Sequence, residues 1–266
     1  MNTIRTIIIG LILTFNYATA QDTLYIFKGA TPVYKRLVSA TDSVTFKKNY
    51  PVFGSFTYDG YTYKTVKIGT QTWMAENLQS IHYRNGDAIP NVTNNTEWTN
   101  LHSAAWCDYN NDAAYGIKYG HLYSYNAVAD TRNLAPPGWH IPSDAEWTIL
   151  GDYVTTHVAT SISPAKALAG TYDWASSSIN GAVGRVLTLN NSTGFNALPS
   201  GYRIGVNGTF FWGGVGGKSA QWWTSSLEHN LNGTILPVHR TIYSDSNTFS
   251  SSNDNGQGYA VRCVKD

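Results

Sequence analysis

The chain has 266 residues, and its 18 Lys and Arg nearly balance 17 Asp and Glu, so no charge excess draws it to nucleic acid or to an anionic membrane. Charged residues make up 13% of it and Trp, Tyr and Phe 14%, with 24 glycines, which excludes a disordered chain and points to a loop-rich folded domain. This length admits one large domain with a short appendage.

Arg5 precedes an apolar run from Ile7 to Phe15 and then Ala18-Thr19-Ala20, the charge, core and small-residue order of a secretory signal peptide. Residues 1–20 are expected to be cleaved, and the mature protein to be secreted, periplasmic or held at the cell surface. A membrane span needs ~20 apolar residues, about twice this run, so no stable membrane insertion is expected after cleavage. No cysteine near Ala20 offers a lipid anchor. Cleavage removes one base and no acid, leaving seventeen of each sign.

Residues 21–50 are expected to form a short N-terminal β segment and linker. Its strands are Thr23 to Phe27 and Val33 to Val38, joined through Lys28-Gly29-Ala30, with Val44-Thr45-Phe46 left open as a third. Asn49-Tyr50-Pro51 marks the boundary to a main domain over 51–266. From Tyr61 to Met74 side chains alternate on either side of Gly69-Thr70, which predicts a hairpin, and Trp73 and Leu78 are expected in the core. Residues 84–100 read as a long polar surface loop without regular elements. Asp108, Asn110, Asn111 and Asp112 offer oxygens to calcium without the spacing of a calcium loop, so an Asx turn is the alternative. Leu122, Tyr125 and Val128 recur at helical spacing and predict a helix over 121–128.

The strongest local signal follows. Pro136, Pro137, Gly138 and Pro142 forbid a helix, and then Ser143 and Glu146 stand at the S-x-x-E spacing of a capping box, each side chain accepting from the other's backbone N–H. A helix is expected to begin there with Trp147, Leu150 and Val154 on its apolar face. Between Ser161 and Asn191 small polar and short apolar runs alternate, with a loop at Ser176 to Gly181, and Phe195 to Tyr202 should re-enter the core.

Residues that carry chemistry are scarce. Gly213 to Ser219 has the glycines of a phosphate loop, but Trp212 stands where that motif requires its first glycine. The seven histidines form no H-E-x-x-H and no pair at helical spacing, which argues against a zinc hydrolase, and neither Ser219 nor Ser225 sits in G-x-S-x-G. His140 reads as a hydrogen-bonding structural group. A glycosidase would need two carboxylates ~5–9.5 Å apart, and spacing alone cannot set Asp144, Glu146, Glu228 or Asp245 opposite one another. Cys107 and Cys263 are the only cysteines, and in an exported chain such a pair is more often a disulfide than a metal site.

Pro136 to Trp147, read as P-x-G-W-H-[IV]-P-[ST]-D-A-E-W, resembles the signature of the Fibrobacter succinogenes major paralogous domain family, exported bacterial domains mostly without assigned activity. Tyr63 to Leu78, Gly194 to Arg203 and Tyr259 to Val264 match it in the same order, so the resemblance covers roughly Phe56 to the C-terminus. That family carries a cysteine where this chain has Ala135. If the family bridge joins that position to the C-terminal cysteine, Cys263 has lost its partner, so a Cys107–Cys263 bridge and two free thiols both stay open. The resemblance implies a C-type lectin-like architecture shared with the formylglycine-generating sulfatase modifiers, whose R-L-P-T-E-A-E-W segment resembles Ile141 to Trp147. The modifiers' oxidase chemistry depends on a cysteine pair that Cys263 alone cannot reproduce, so activity does not follow the fold.

The fold expected is α+β: a loop-rich, C-type lectin-like domain with a small antiparallel sheet and two helices, after the β appendage. The function expected is that of a non-catalytic binding module for a glycan or a cell-surface protein, without a cofactor beyond the calcium left open. A structural or surface-assembly domain without a small ligand is the alternative, and an enzyme of unknown class a lesser one. Binding is expected between Arg203 and Asn255, through Trp222, Trp223, His229, His239, Arg240, Tyr243, Asp245, Asn247 and Asn253, which have the composition of a paratope. The resemblance agrees, since the equivalent region is ligand-facing in several proteins with this fold. Trp222 and Trp223 are adjacent and point to opposite faces of a strand, so one is expected inside and the other beside His239, Arg240 and Tyr243.

Overall fold

The computed structural model describes residues 22–28, 31–38, 51–159 and 162–266, and the chain divides between Asn49 and Tyr50 into two units. Residues 1–20, expected to be a signal peptide, and Val44 to Phe46 lie outside the described residues. In the first unit β1 (Asp22–Lys28) pairs antiparallel with β2 (Thr31–Val38).

The second unit opens with a strand that the alternation pattern does not reveal. β3 (Val52–Tyr58) turns into β4 (Tyr61–Ile68) through Asp59 and Gly60, both at positive φ (48° and 76°), a turn that Asp-Gly adopts readily and whose twist matches the strands. The chain then returns through Gly69-Thr70 as β5 (Gln71–Met74), as expected, and Trp73 and Leu78 are fully buried. Residues 84–100 depart from the loop expectation. Asn94 accepts from the Glu97 N–H and caps a short helix, α1 (Asn95–Thr99), which sets Trp98 into the core.

β6 (Trp106–Cys107) leads to α2 (Ala113–Tyr119). The helix expected over 121–128 exists only in its second half: β7 (Leu122–Ser124) precedes α3 (Tyr125–Val128). All three β7 residues are buried, and a strand covered on both faces has no polar–apolar alternation to betray it. After β8 (Trp139–His140), α4 (Asp144–Tyr153) begins where the capping box puts it. Ser143 Oγ accepts from the Glu146 N–H at 3.3 Å, and Glu146 Oε2 from the Ser143 N–H at 2.9 Å. A π turn over Val154–Val158 continues the helix, and α5 (Pro164–Leu168) follows. The chain then supplies β9 (Tyr202–Arg203), β10 (Phe210–Phe211), the long β11 (Ser219–His229) and β12 (Ile235–Tyr243), β13 (Phe249–Asn253), β14 (Gly258–Ala260) and β15 (Val264–Lys265). The Gly213–Gly217 loop therefore runs into a strand, where a phosphate loop requires a helix.

The fold is α+β, with sheets larger than the small one expected. One is five-stranded, in the order β3-β4-β5-β15-β8; the other is eight-stranded, β10-β9-β14-β11-β12-β13 with β7 and β6 added beside β14. Pairing is antiparallel except where β14 lies parallel to β11.

Trp222 and Trp223 on β11 are both 0% exposed, against the expectation of one inside and one at the surface. The reason is that the larger sheet is covered on both faces. Trp222 lies 5.6 Å from Trp147 of α4, and Trp223 lies 4.6 Å from Tyr259 and 5.2 Å from Tyr125 on the other side. Each indole belongs to its own core cluster. Cys107 is in the first cluster and Cys263 in the second, both buried and free in the structure.

Candidate functional site

Strand register sorts the nine expected binding residues. On β12, Val238, Arg240 and Ile242 share one face, and across from them stand Trp222 and Ala220 of β11 and Asn253, Ser251 and Phe249 of β13. This face meets α4. Arg240 Nε and Nη2 clamp the Asp144 carboxylate at 2.6 Å each, and Nη2 also donates to Thr148 Oγ1 at 2.7 Å. Arg240 thus ties the sheet to the first turn of α4, where the sequence reading had placed it against a ligand. Asn247 lines a shallow cavity of about 480 Å³ on this same side, with Arg240 and Phe249. His229 is exposed in the β11–β12 hairpin, donating through Nδ1 to the Gly233 carbonyl at 3.1 Å, and Asp245 is exposed in the turn after β12. Arg203, at the start of the expected binding stretch, is fully buried, donating to the Val92, Thr93 and Gly208 carbonyls.

The opposite face carries three of the nine, Trp223, His239 and Tyr243, of which His239 and Tyr243 line a cavity together with residues outside the nine. Gln221 and Thr241 lie on it, and β13 adds Ser250 opposite Thr241 and Ser252 opposite His239. With Tyr202, Asp254 and Tyr259 as its wall, this face encloses a cavity of about 340 Å³. The signal that finds these residues is the period-two spacing of His239, Thr241 and Tyr243, which becomes a site only once β13 is in register.

His239 is 5% exposed, and its Nδ1 has no hydrogen-bond partner among the described residues. It stands 3.9 Å from Asp254 Oδ1, which is also buried and unpartnered, while Asp254 Oδ2 accepts from the Tyr259 hydroxyl at 2.6 Å. A separation of 3.9 Å is too long for a hydrogen bond, so two buried polar atoms are left unanswered, a state folded proteins seldom keep without a role. Burial pushes the His239 imidazole down to about 4 and the Asp254 carboxyl up to about 6. At neutral pH the pair is therefore a neutral imidazole beside a carboxylate. Neither atom is open to solvent, so a ligand hydroxyl, both donor and acceptor, answers both at once only after a side-chain rotation turns them to the cavity.

Phe211 and Trp212, 40% and 42% exposed, continue the aromatic surface beyond the cavity. The Trp212 indole stands edge-on to Tyr202 at 6.1 Å and to Tyr243 at 5.9 Å, both of them cavity residues.

Two of the oxygens offered to calcium in the sequence, one each on Asp108 and Asp112, accept hydrogen bonds within the fold. Asp108 Oδ1 pairs with His121 Nδ1 at 2.6 Å, Asp112 caps α2 by accepting from the Ala114 N–H, and the Asn111 amide donates to the Thr93 carbonyl. Glu146 and Asp144 are likewise engaged, the one in the capping box and the other by Arg240.

No curated protein and no solved structure matches this chain. A family model described as the Fibrobacter succinogenes major domain matches residues 66–265, from within β4 to β15, and so takes in the whole larger sheet, the capped helix and the cavity over His239. On that match, the chain belongs to the Fibrobacter succinogenes major domain family.

Proposed function

We propose that this protein is an exported, non-catalytic binding module that holds a neutral, polyhydroxylated ligand, a glycan, in the cavity over His239 and Asp254. The observation that carries the reading is the facing pair of unpartnered atoms, His239 Nδ1 and Asp254 Oδ1, in the lining of that cavity. Its surroundings agree. Hydroxyl and amide side chains on β11 to β13 supply further donors and acceptors, and Tyr202, Tyr243 and Tyr259 offer ring faces to C–H groups. Among the described residues no Lys or Arg lines the cavity, so an anionic sugar or a phosphate would meet Asp254 without a compensating cation. The C-type lectin-like architecture and the distant kinship to the sulfatase modifiers belong to this proposal on the strength of Pro136 to Trp147, although the binding chemistry does not depend on them.

The test is a screen of neutral mono- and oligosaccharides against the purified protein, repeated in chelator, followed by calorimetry on Asp254→Asn and His239→Gln. Losing a hydrogen bond to a charged group costs about 1.5–3 kcal/mol, so each variant should bind about tenfold more weakly or worse while melting near wild type, and chelator should have no effect. Unchanged affinity in both variants would place the site elsewhere.

A further inference from the structure

Seven of the nine tryptophans are buried and Trp106 is half-buried, which leaves Trp212 as the exposed one. Its backbone sits at φ 60°, in the left-handed region that a bulky side chain enters only under strain. Glycine would adopt this conformation freely, and Gly213, Gly214, Gly216 and Gly217 follow at once, yet the strained position itself carries a tryptophan. The surroundings hold the strain in place. The Trp212 carbonyl accepts from the Lys218 N–H at 2.7 Å and the Ser219 N–H at 3.1 Å, and a Cβ on Gly201 would collide with the Gly213 backbone, so the loop is clamped against the start of β9. The outcome is an indole presented beside Tyr202 and Tyr243, both of which line the polar cavity.

We infer that Trp212, with Phe211, forms a stacking subsite for the second ring of a linear, β-linked neutral oligosaccharide whose first ring occupies the cavity over His239 and Asp254. The inference rests on the glycan reading above. A pyranose with equatorial substituents has a C–H face that packs on an aromatic ring and a hydroxyl rim that wants polar partners. β-Linkage keeps successive rings in one ribbon, so a polar cavity that opens onto an aromatic shelf fits two consecutive units of one chain. A monosaccharide would fill the cavity and leave the shelf bare.

Wild type, Trp212→Ala and Trp212→Gly are to be titrated with glucose, N-acetylglucosamine and their β-1,4-linked oligomers, by calorimetry and by iodide quenching of tryptophan emission. An oligomer should bind wild type about tenfold more tightly than its monomer and shield an iodide-accessible tryptophan. Both variants should lose that advantage and keep the monomer affinity. Trp212→Gly, relieved of the backbone strain, should melt no lower than Trp212→Ala, which separates lost stacking from a damaged fold. Equal binding of monomer and oligomer, or an oligomer advantage that survives both substitutions, overturns the subsite and leaves the cavity standing. An oligomer advantage that depends on Trp212 but not on Asp254→Asn overturns the cavity and leaves the shelf, and no binding of any of these sugars overturns both.

Discussion

His140 joins two carboxylates: its Nδ1 meets Asp266 Oδ1 at 2.7 Å and its Nε2 meets Glu146 Oε1 at 2.7 Å, an arrangement that needs a proton on both nitrogens. Desolvation opposes the charged ring, but the Asp266 and Glu146 carboxylates outweigh it and the imidazole pKa is raised. Desolvation is likewise overcome at Glu146, where the Ser143 N–H and His140 lower the carboxyl. A raised imidazole stabilises the fold at pH values below its ordinary 6.5, and that contribution is lost as pH rises through the higher folded value. The Glu146 contribution is present above its ordinary value and lost as pH falls through the lowered one. Since the His140 side chain is 39% exposed, solvent screens the pair and the loss above neutrality should be only ~0.2–1 kcal/mol. Urea unfolding at roughly pH 6 and pH 8.5 should show this slope as a difference between wild type and His140→Gln, over the pH dependence that His239 and Asp254 give to both. Asp254 bears on binding instead. With its carboxyl pushed up to about 6, ligand affinity should be level above neutrality and fall several-fold as pH drops through that value, because the acceptor anion is lost. His239, pushed down to about 4, stays neutral over this range, and Tyr202, Tyr243 and Tyr259 are all raised and stay protonated. Asp254→Asn should therefore bind weakly at every pH, and a residual pH slope in that variant would point to another titrating group.

Among the elements, α4 and the strand beside it show where a charge is structural. Arg240→Ala would leave the Asp144 carboxylate with only the Ser251 hydroxyl and weaken the tie of α4 to the sheet, at a cost of about 3–5 kcal/mol for a broken, largely buried pair. Ser143→Ala removes two hydrogen bonds of its hydroxyl, the cap from the Glu146 N–H and the one it donates to Glu146 Oε2, and should cost about 1–2 kcal/mol. Guanidinium denaturation that reversed this order would refute the assignment of Arg240 to the fold. The same contrast explains what was legible in the sequence. The start of α4 is written in four consecutive residues, since capping chemistry is local. β7 is not legible, because buried Leu122, Tyr123 and Ser124 leave only a coincidental helical spacing with Tyr125 and Val128. The stretch from Ala182 to Asn190 is pinned by distant polar groups: Lys166 Nζ donates to the carbonyls of Ala182, Val183, Arg185 and Val186, and Asn190 to Gly170. No local pattern announces such bonds. The candidate site lies between these extremes. His239 and Tyr243 stood out by composition, and the alternation of β12 alone sets Arg240 on the other face; what no single strand contains is the register that adds Gln221, Ser250 and Ser252 to the site.

At the scale of the whole second unit, an eight-stranded sheet divides the interior into two aromatic cores, and this division governs the thiols. Cys107 packs with Trp98 and Trp222 in one core, Cys263 with Tyr63 and Trp223 in the other, and neither is exposed. Burial pushes the Cys107 thiol up to about 12 and Cys263 further up still, so neither forms appreciable thiolate at neutral pH. Labelling the native protein therefore cannot report whether a bridge exists, because a buried thiol and a disulfide are equally silent. The informative measurement is labelling after unfolding in denaturant without reductant, where two thiols per chain are expected. Reductant should leave the melting temperature unchanged, whereas reducing a disulfide that closed so long a loop would cost about 2–5 kcal/mol. Zero thiols in the unfolded, unreduced chain would mean that Cys107 and Cys263 are bridged, and would require a path between two cores that the sheet keeps apart.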